Sequence, residues 1–187
     1  EIGVSEPDSP RGSDQLNPQK DVNGQESLTG KVALRWQPND SLDALLTYYF
    51  QDEDNEGRTI SSHRGELPTG RFENAQRVLE PNEERTNLLA LEVTADLGFA
   101  ELTSATGLSK YEESGQRDQT DLLISLDYSY ETFPTFTAFT LEQERDETFN
   151  QEIRLVSTNE SAFNWIVGGF YNKSESVSSS SEFTPGY

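Results

Sequence analysis

The chain of 187 residues carries 34 acidic against 14 basic side chains, a net charge of −20, which excludes nucleic-acid binding because nothing here would neutralise phosphates. Hydrophobic residues make up only 32%, thin for a packed core of this length, yet 10% are aromatic, too many for a simple disordered tract. With no cysteine, neither disulfides nor thiolate metal sites contribute.

Residues 1–27 are rich in Ser, Asp, Asn, Gln, Pro and Gly without apolar periodicity, and read as a loop or disordered end. No Met occurs anywhere and no charged-then-apolar leader opens the chain, so the sequence reads as a piece of a longer or processed product, its signal peptide absent or removed. From Thr29, Val32, Leu34 and Trp36 alternate with Lys31, Ala33 and Arg35. Pro38, Asn39, Asp40 and Ser41 supply a turn. The return arm sets Leu42, Ala44, Leu46, Tyr48 and Phe50 on one face and Asp43, Leu45, Thr47, Tyr49 and Gln51 on the other, which predicts a hairpin over about 29–51.

Residues 52–85 form a long polar connection broken by Gly57, Gly65, Pro68, Gly70 and Pro81. A second hairpin is expected over about 86–110, with Leu89, Leu91, Val93 and Ala95 alternating with polar and small residues and a reversal near Asp96, Leu97 and Gly98. The connection 111–147 is the most acidic of the connections. Within it, 122–130 and 133–139 either extend strands or pack locally. A third hairpin is expected over about 148–174. There Ile153 and Leu155 alternate with Glu152, Arg154 and Val156, and Trp165, Val167 and Tyr171 alternate with Asn164, Ile166, Gly168 and Asn172. Residues 175–187 begin another Ser-rich connection.

The spacing therefore predicts an all-β, antiparallel up-and-down meander of six strands. Candidate hairpins 28–51, 86–110 and 148–174 sum to charges of 0, −2 and 0, while the connections 1–27, 52–85, 111–147 and 175–187 sum to −4, −4, −8 and −2. Nearly all the acid sits in the loops. Short turns at one end and connections of some thirty residues at the other are the signature of an outer-membrane barrel. No apolar run approaches the roughly 18 residues of a membrane helix, whereas a barrel strand needs only about 9–11 tilted residues.

The residues Leu102, Thr103, Ser104, Ala105, Thr106 and Gly107 resemble the L-T-S-x-T-G strand of TonB-dependent outer-membrane receptors. Residues 150–157 (N-Q-E-I-R-L-V-S) and 164–171 (N-W-I-V-G-G-F-Y) look like a Q-E-x-R-L-x-S and W-x-x-G-x-F-Y hairpin from the same barrels, and Arg35 to Asp40 is similar to the family's R-W-x-P-x-D run. The resemblance covers roughly 28–174. It implies a six-strand segment of a transmembrane barrel of twenty-two strands, embedded in the outer-membrane lipid of a diderm bacterium. It further implies TonB-energised uptake of a scarce nutrient, typically a ferric siderophore, with TonB acting through a plug domain. Neither a plug nor a TonB box is found in this sequence, which accordingly reads as a fragment of the barrel domain. The alternative reading is a secreted soluble β-sandwich or adhesin-like binding module, with two packed sheets and buried tryptophans.

Candidate sites are few. Asp52, Glu53, Asp54, Asn55, Glu56 and Gly57 open like a calcium loop, but the twelfth position is His63 rather than Glu and a strand precedes it, so a solvated acidic loop is expected. His63, the sole histidine, stands beside Ser61 and Ser62 with no carboxylate brought to it by the sequence, and no catalytic role or cofactor is assigned. Glu92, Glu101, Glu152 and Arg154 fall on the polar phase of their strands, where cross-strand hydrogen bonds or contacts to a plug are expected. Trp36, Tyr48, Phe50, Trp165 and Tyr171 read as lipid-facing or interfacial anchors. Ligand contacts are expected in the long loops, with no residue assigned.

Overall fold

The computed structural model describes residues 20–59, 76–131, 133, 135–159 and 162–185. Six strands, β1 (Gln25–Asn39), β2 (Leu42–Asn55), β3 (Asn82–Asp96), β4 (Ala100–Asp118), β5 (Phe139–Ser157) and β6 (Ile166–Phe183), form one sheet in sequence order, with a short helix α1 (Thr120–Ser125) between β4 and β5. Each neighbouring pair is antiparallel. The chain is all-β, an up-and-down meander, and among the described residues there is no second sheet of the kind a sandwich requires. No helix among them is long and apolar enough to cross a membrane, which says nothing of strands.

Residues directly opposite in an antiparallel ladder share a face, so the register shows which alternating sets coincide. Trp36, Ala44, Val93, Ser104, Ile153 and Gly169 form one row across all six strands, or lie one diagonal step from it, and Leu34, Leu46, Leu91, Thr106, Gln151 and Tyr171 form the next. Val32, Tyr48, Leu89, Leu108 and Phe149 follow. These rows make an apolar band across β1 to β3 that Ser104, Thr106 and Gln151 interrupt on β4 and β5 and Lys173, opposite Phe149, ends on β6. The opposite face carries Arg35, Leu45, Glu92, Ala105, Glu152 and Phe170 in one row and Ala33, Thr47, Ala90, Gly107, Asn150 and Asn172 in the next, a polar and small-residue surface.

The strands run further than alternation alone predicts. Residues 25–27, 52–55, 82–85, 111–118, 139–147 and 175–183, expected in connections, all belong to strands. Both faces are polar there, which erases the apolar alternation without weakening the backbone ladder. Side-chain pairing carries the extension instead: on the apolar side, Asp52, Arg85, Glu112 and Arg145 stand opposite one another with signs alternating across four strands. Arg85 Nε lies 3.6 Å from Asp52, Lys110 Nζ 2.7 Å from Glu112 and Lys173 Nζ 2.6 Å from Glu175. Arg145 pairs with Glu147.

Turn chemistry fixes the short ends. Asn39 Oδ1 accepts the Ser41 N–H at 2.9 Å, and the β1–β2 register shifts between Trp36 and Asn39, where Pro38 has no N–H to give the ladder. Asp96 Oδ1 accepts the Gly98 N–H at 2.7 Å, with Gly98 at φ +81°, a conformation that side chains rarely adopt. Adjacent turns are tied together, Asp96 N–H donating to Ser41 O at 2.8 Å and Thr158 N–H to Phe99 O at 3.2 Å. Within the band, Gly30 faces Phe50, whose ring occupies the space a β-carbon would fill.

The buried core is small and lies off the sheet's centre. Among the described hydrophobic residues, Val78, Leu123, Phe136, Ala138 and Phe139 are buried at the end of the long connections and Ala100 at the other. There α1 and Phe133, in the stretches 122–130 and 133–139 that the sequence left between strand extension and local packing, meet Arg77: its Nε lies 3.4 Å from Asp121 and its guanidinium 4.8 Å over the Phe133 ring.

Candidate functional site

Two places gather polar chemistry: the polar face of the sheet, and the knot of side chains where the long connections meet. On the polar face the register brings Glu92 and Glu152 into one row on either side of Ala105, about 10 Å apart across two strand spacings. Arg154 stands opposite Thr103, and Glu101 opposite Val156, on the same face. All four expected residues thus share a face, and all four side chains are exposed. Among the described residues none of the four enters an ion pair. At the turn end, Arg35 binds Asp43, its Nε donating at 2.9 and 3.0 Å to the two carboxylate oxygens.

Nearer the long connections the polar face carries a row the sequence alone does not disclose. Glu53, Glu84, Glu113 and Glu144 lie directly opposite one another on four adjacent strands. Like charges so placed repel. Donors on neighbouring residues of the same strands relieve them: Gln51 Nε2 and Asn55 Nδ2 donate to Glu53 at 3.2 and 3.1 Å, Asn82 Nδ2 to Glu84 at 3.0 Å, and Tyr111 Oη to Glu113 at 2.8 Å. Burial, the Glu113 hydrogen bond and the Glu113 and Glu84 charges hold the Tyr111 hydroxyl protonated well beyond its ordinary range. The signal for this row was the count of residues from each turn, which converts separate acidic stretches into one line only when the register is known.

The acidic stretch expected as a loop at 52–57 is a strand as far as Asn55, so its side chains point alternately to opposite faces and do not converge on an ion. Among the described residues no group of three or more His, Cys, Asp or Glu could hold a metal. His63, Ser61 and Ser62 lie outside the described residues.

At the junction of the long connections, Asp118 ends β4 and reaches across to residues 76–80. Its Oδ2 accepts the Arg77 N–H at 2.5 Å and the Val78 N–H at 3.4 Å, while Oδ1 accepts the Thr120 N–H at 2.9 Å. Glu80, only 3% exposed, returns the contact: its Oε1 accepts the Asp118 N–H at 2.8 Å, and Gln76 donates to Oε2. Gln116 Nε2 donates to Leu79 O at 2.7 Å. On the far side, Thr120 Oγ1 bonds Ala138 through both its C=O and its N–H, each at 3.1 Å. Burial raises the Glu80 and Asp118 carboxyls above the ordinary range, outweighing the backbone donors that favour their ionised forms.

Of the aromatic anchors, Trp36, Tyr48 and Tyr171 are exposed on the apolar face. Phe50 joins Tyr48 in a stacked pair at 6.2 Å, and Phe149 meets Tyr171 at 6.0 Å. Trp165 sits just before β6, its N–H donating to Ser157 Oγ at 2.9 Å. Compared with known proteins, the chain matches no family model and no curated protein.

Proposed function

We propose that this chain is a six-strand part of the transmembrane barrel of a TonB-dependent outer-membrane receptor, which takes up a scarce nutrient, a ferric siderophore foremost, with energy relayed by TonB. The observation that carries the reading is an inverted distribution of burial on β2. There the polar-face residues from Asp43 to Asn55 are all half-buried, while Leu46 and Tyr48 on the apolar face are exposed. β1, at the sheet's edge, is exposed on both faces. A soluble sheet buries its apolar face; a sheet curling toward its polar side, with hydrocarbon outside, gives this pattern.

Two further features support it. The apolar residues of β1 and β2 run from Leu28 to Trp36 and from Leu42 to Phe50, about 27 Å of strand, enough for a tilted crossing. Aromatic residues stand at both margins of the band: Trp36, Phe99, Phe163 and Trp165 at the turn end, and Tyr48, Phe50 and Phe149 toward the long connections. Such paired girdles mark the two interfaces of a membrane wall. In this reading the short turns are periplasmic, the long connections extracellular, and Glu92, Glu101, Glu152 and Arg154 line the lumen.

These 187 residues contain no cysteine, so with any cysteine elsewhere in the full-length protein replaced by serine, single introduced thiols report on each face in its own outer membrane. Leu91→Cys and Leu34→Cys are expected to resist a charged water-soluble maleimide, and Glu92→Cys and Thr47→Cys to react with it. Equal labelling on both faces, or recovery of the full-length protein in the soluble fraction without detergent, would sink the membrane reading and favour the sandwich or adhesin-like module. The transport assignment is tested separately by uptake of labelled ferric siderophores in cells with and without the gene and with TonB inactivated.

A further inference from the structure

We propose that Lys110 and Lys173 hold the phosphate of a lipid whose acyl chains lie on Leu89, Leu108 and Phe149, at the margin of the apolar face next to the long connections. The site rests on the membrane reading and deepens it by naming a lipid class that the wall selects.

The distribution of cations over the sheet points there. Among the described residues the apolar face of the six strands carries four, and all stand in three successive rows toward the long connections: Lys173 beside Phe149, then Lys110 beside Asn87, then Arg85 and Arg145 on either side of Glu112. The row at the turn end of the same face, Leu42, Ala95, Leu102, Leu155 and Val167, has no charge at all. Two like leaflets give no reason for that difference. A leaflet presenting anionic headgroups at one margin does, because basic side chains at headgroup level are attracted to them.

The carboxylates of these rows do not bar an incoming phosphate, because each is held by one of the four cations. Arg85 lies 3.6 Å from Asp52, Lys110 2.7 Å from Glu112 and Lys173 2.6 Å from Glu175, and Arg145 pairs with Glu147. The margin is therefore neutral in a chain of net charge −20. An ammonium has three donors, and each lysine makes one ion pair among the described residues, so both keep donors to give. Lys110 and Lys173 stand on either side of β5, about 10 Å apart across two strand spacings, and their flexible four-carbon stems bring both ammoniums to one phosphate. Tyr48, Leu89, Leu108 and Phe149 line the same depression as the two lysines. Leu89 and Leu108 are exposed there, so a head bound by the lysines sets its acyl chains against apolar side chains that nothing in the chain covers.

The test is native mass spectrometry of the full-length protein released from a neutral detergent, titrated with dioleoylphosphatidic acid and with dioleoylglycerol, which differ only in the phosphate. Phosphatidic acid is expected to be retained severalfold more tightly, and the excess to vanish at high salt and in the double variant Lys110→Gln, Lys173→Gln. Lys31→Gln, on the polar face, is expected to keep it. Equal retention of the two lipids, an excess that survives the double variant, or an equal loss in Lys31→Gln would overturn the proposal. So would displacement of the lipid by inorganic phosphate at the same concentration, which leaves the acyl contacts without a part. Cysteine labelling at Leu91 and Glu92 in the double-variant background separates the two readings. One-sided labelling without a lysine effect on lipid retention removes the lipid site alone, whereas equal labelling of both faces removes the membrane reading beneath it.

Discussion

Single residues decide the local geometry wherever the backbone leaves them no alternative. Gly98 turns the β3–β4 hairpin at φ +81°, with open space where a side chain would stand. Gly98→Ala should therefore cost only backbone strain, about 1 kcal/mol, read as a lower urea midpoint for the full-length protein. The opposite sign is expected in the carboxylate row. Glu113→Gln keeps an oxygen for the Tyr111 hydroxyl and removes a charge that faces Glu84 and Glu144, so it should stabilise by about 0.5 kcal/mol. A lowered midpoint would mean that the row's repulsion is already offset. That row was illegible in the sequence because facing across strands depends on turn length, whereas the shared face of Glu92 and Glu152 followed from period two within each hairpin.

At the scale of elements, the hairpins were legible in their apolar halves and not beyond. Val93, Leu91 and Leu89 alternate visibly with small or polar residues, but Glu83 and Arg85 continue the same strand with no apolar phase to announce it. α1 was less legible still. Its Gln119 gives the helix no side-chain capping bond, and its six residues owe their shape to the burial of Thr120 and Leu123 against neighbouring segments. Thr120→Val would leave the Ala138 N–H without its partner in a buried site, the C=O keeping the Gln119 N–H, an expected loss of about 1–3 kcal/mol confined to the junction. Limited proteolysis should then cut within 119–139 while the sheet survives. Phe136→Ala, which empties the centre of the same small core, should do so at least as strongly.

For the whole molecule, the membrane reading predicts that adjacent residues of one strand differ sharply in what they tolerate. Leu46 lies in the apolar band and Thr47 on the polar face. Leu46→Arg should cost about 2–4 kcal/mol in folding of the full-length protein into bilayers, and Thr47→Arg well under that. Similar losses at both positions would contradict a wall with lipid on one flank only. The one-sheet architecture was readable from the rhythm of turns and connections, but the closure of any larger wall was not, because among the described residues β1 and β6 each have one neighbour. Within the described sheet every strand bonds to those that precede and follow it in the chain. A ribbon of this kind can zip up one arm at a time, no step waiting for a remote segment to diffuse home. Copying a hairpin within the gene would lengthen such a ribbon by two staves and leave all the existing seams but one untouched.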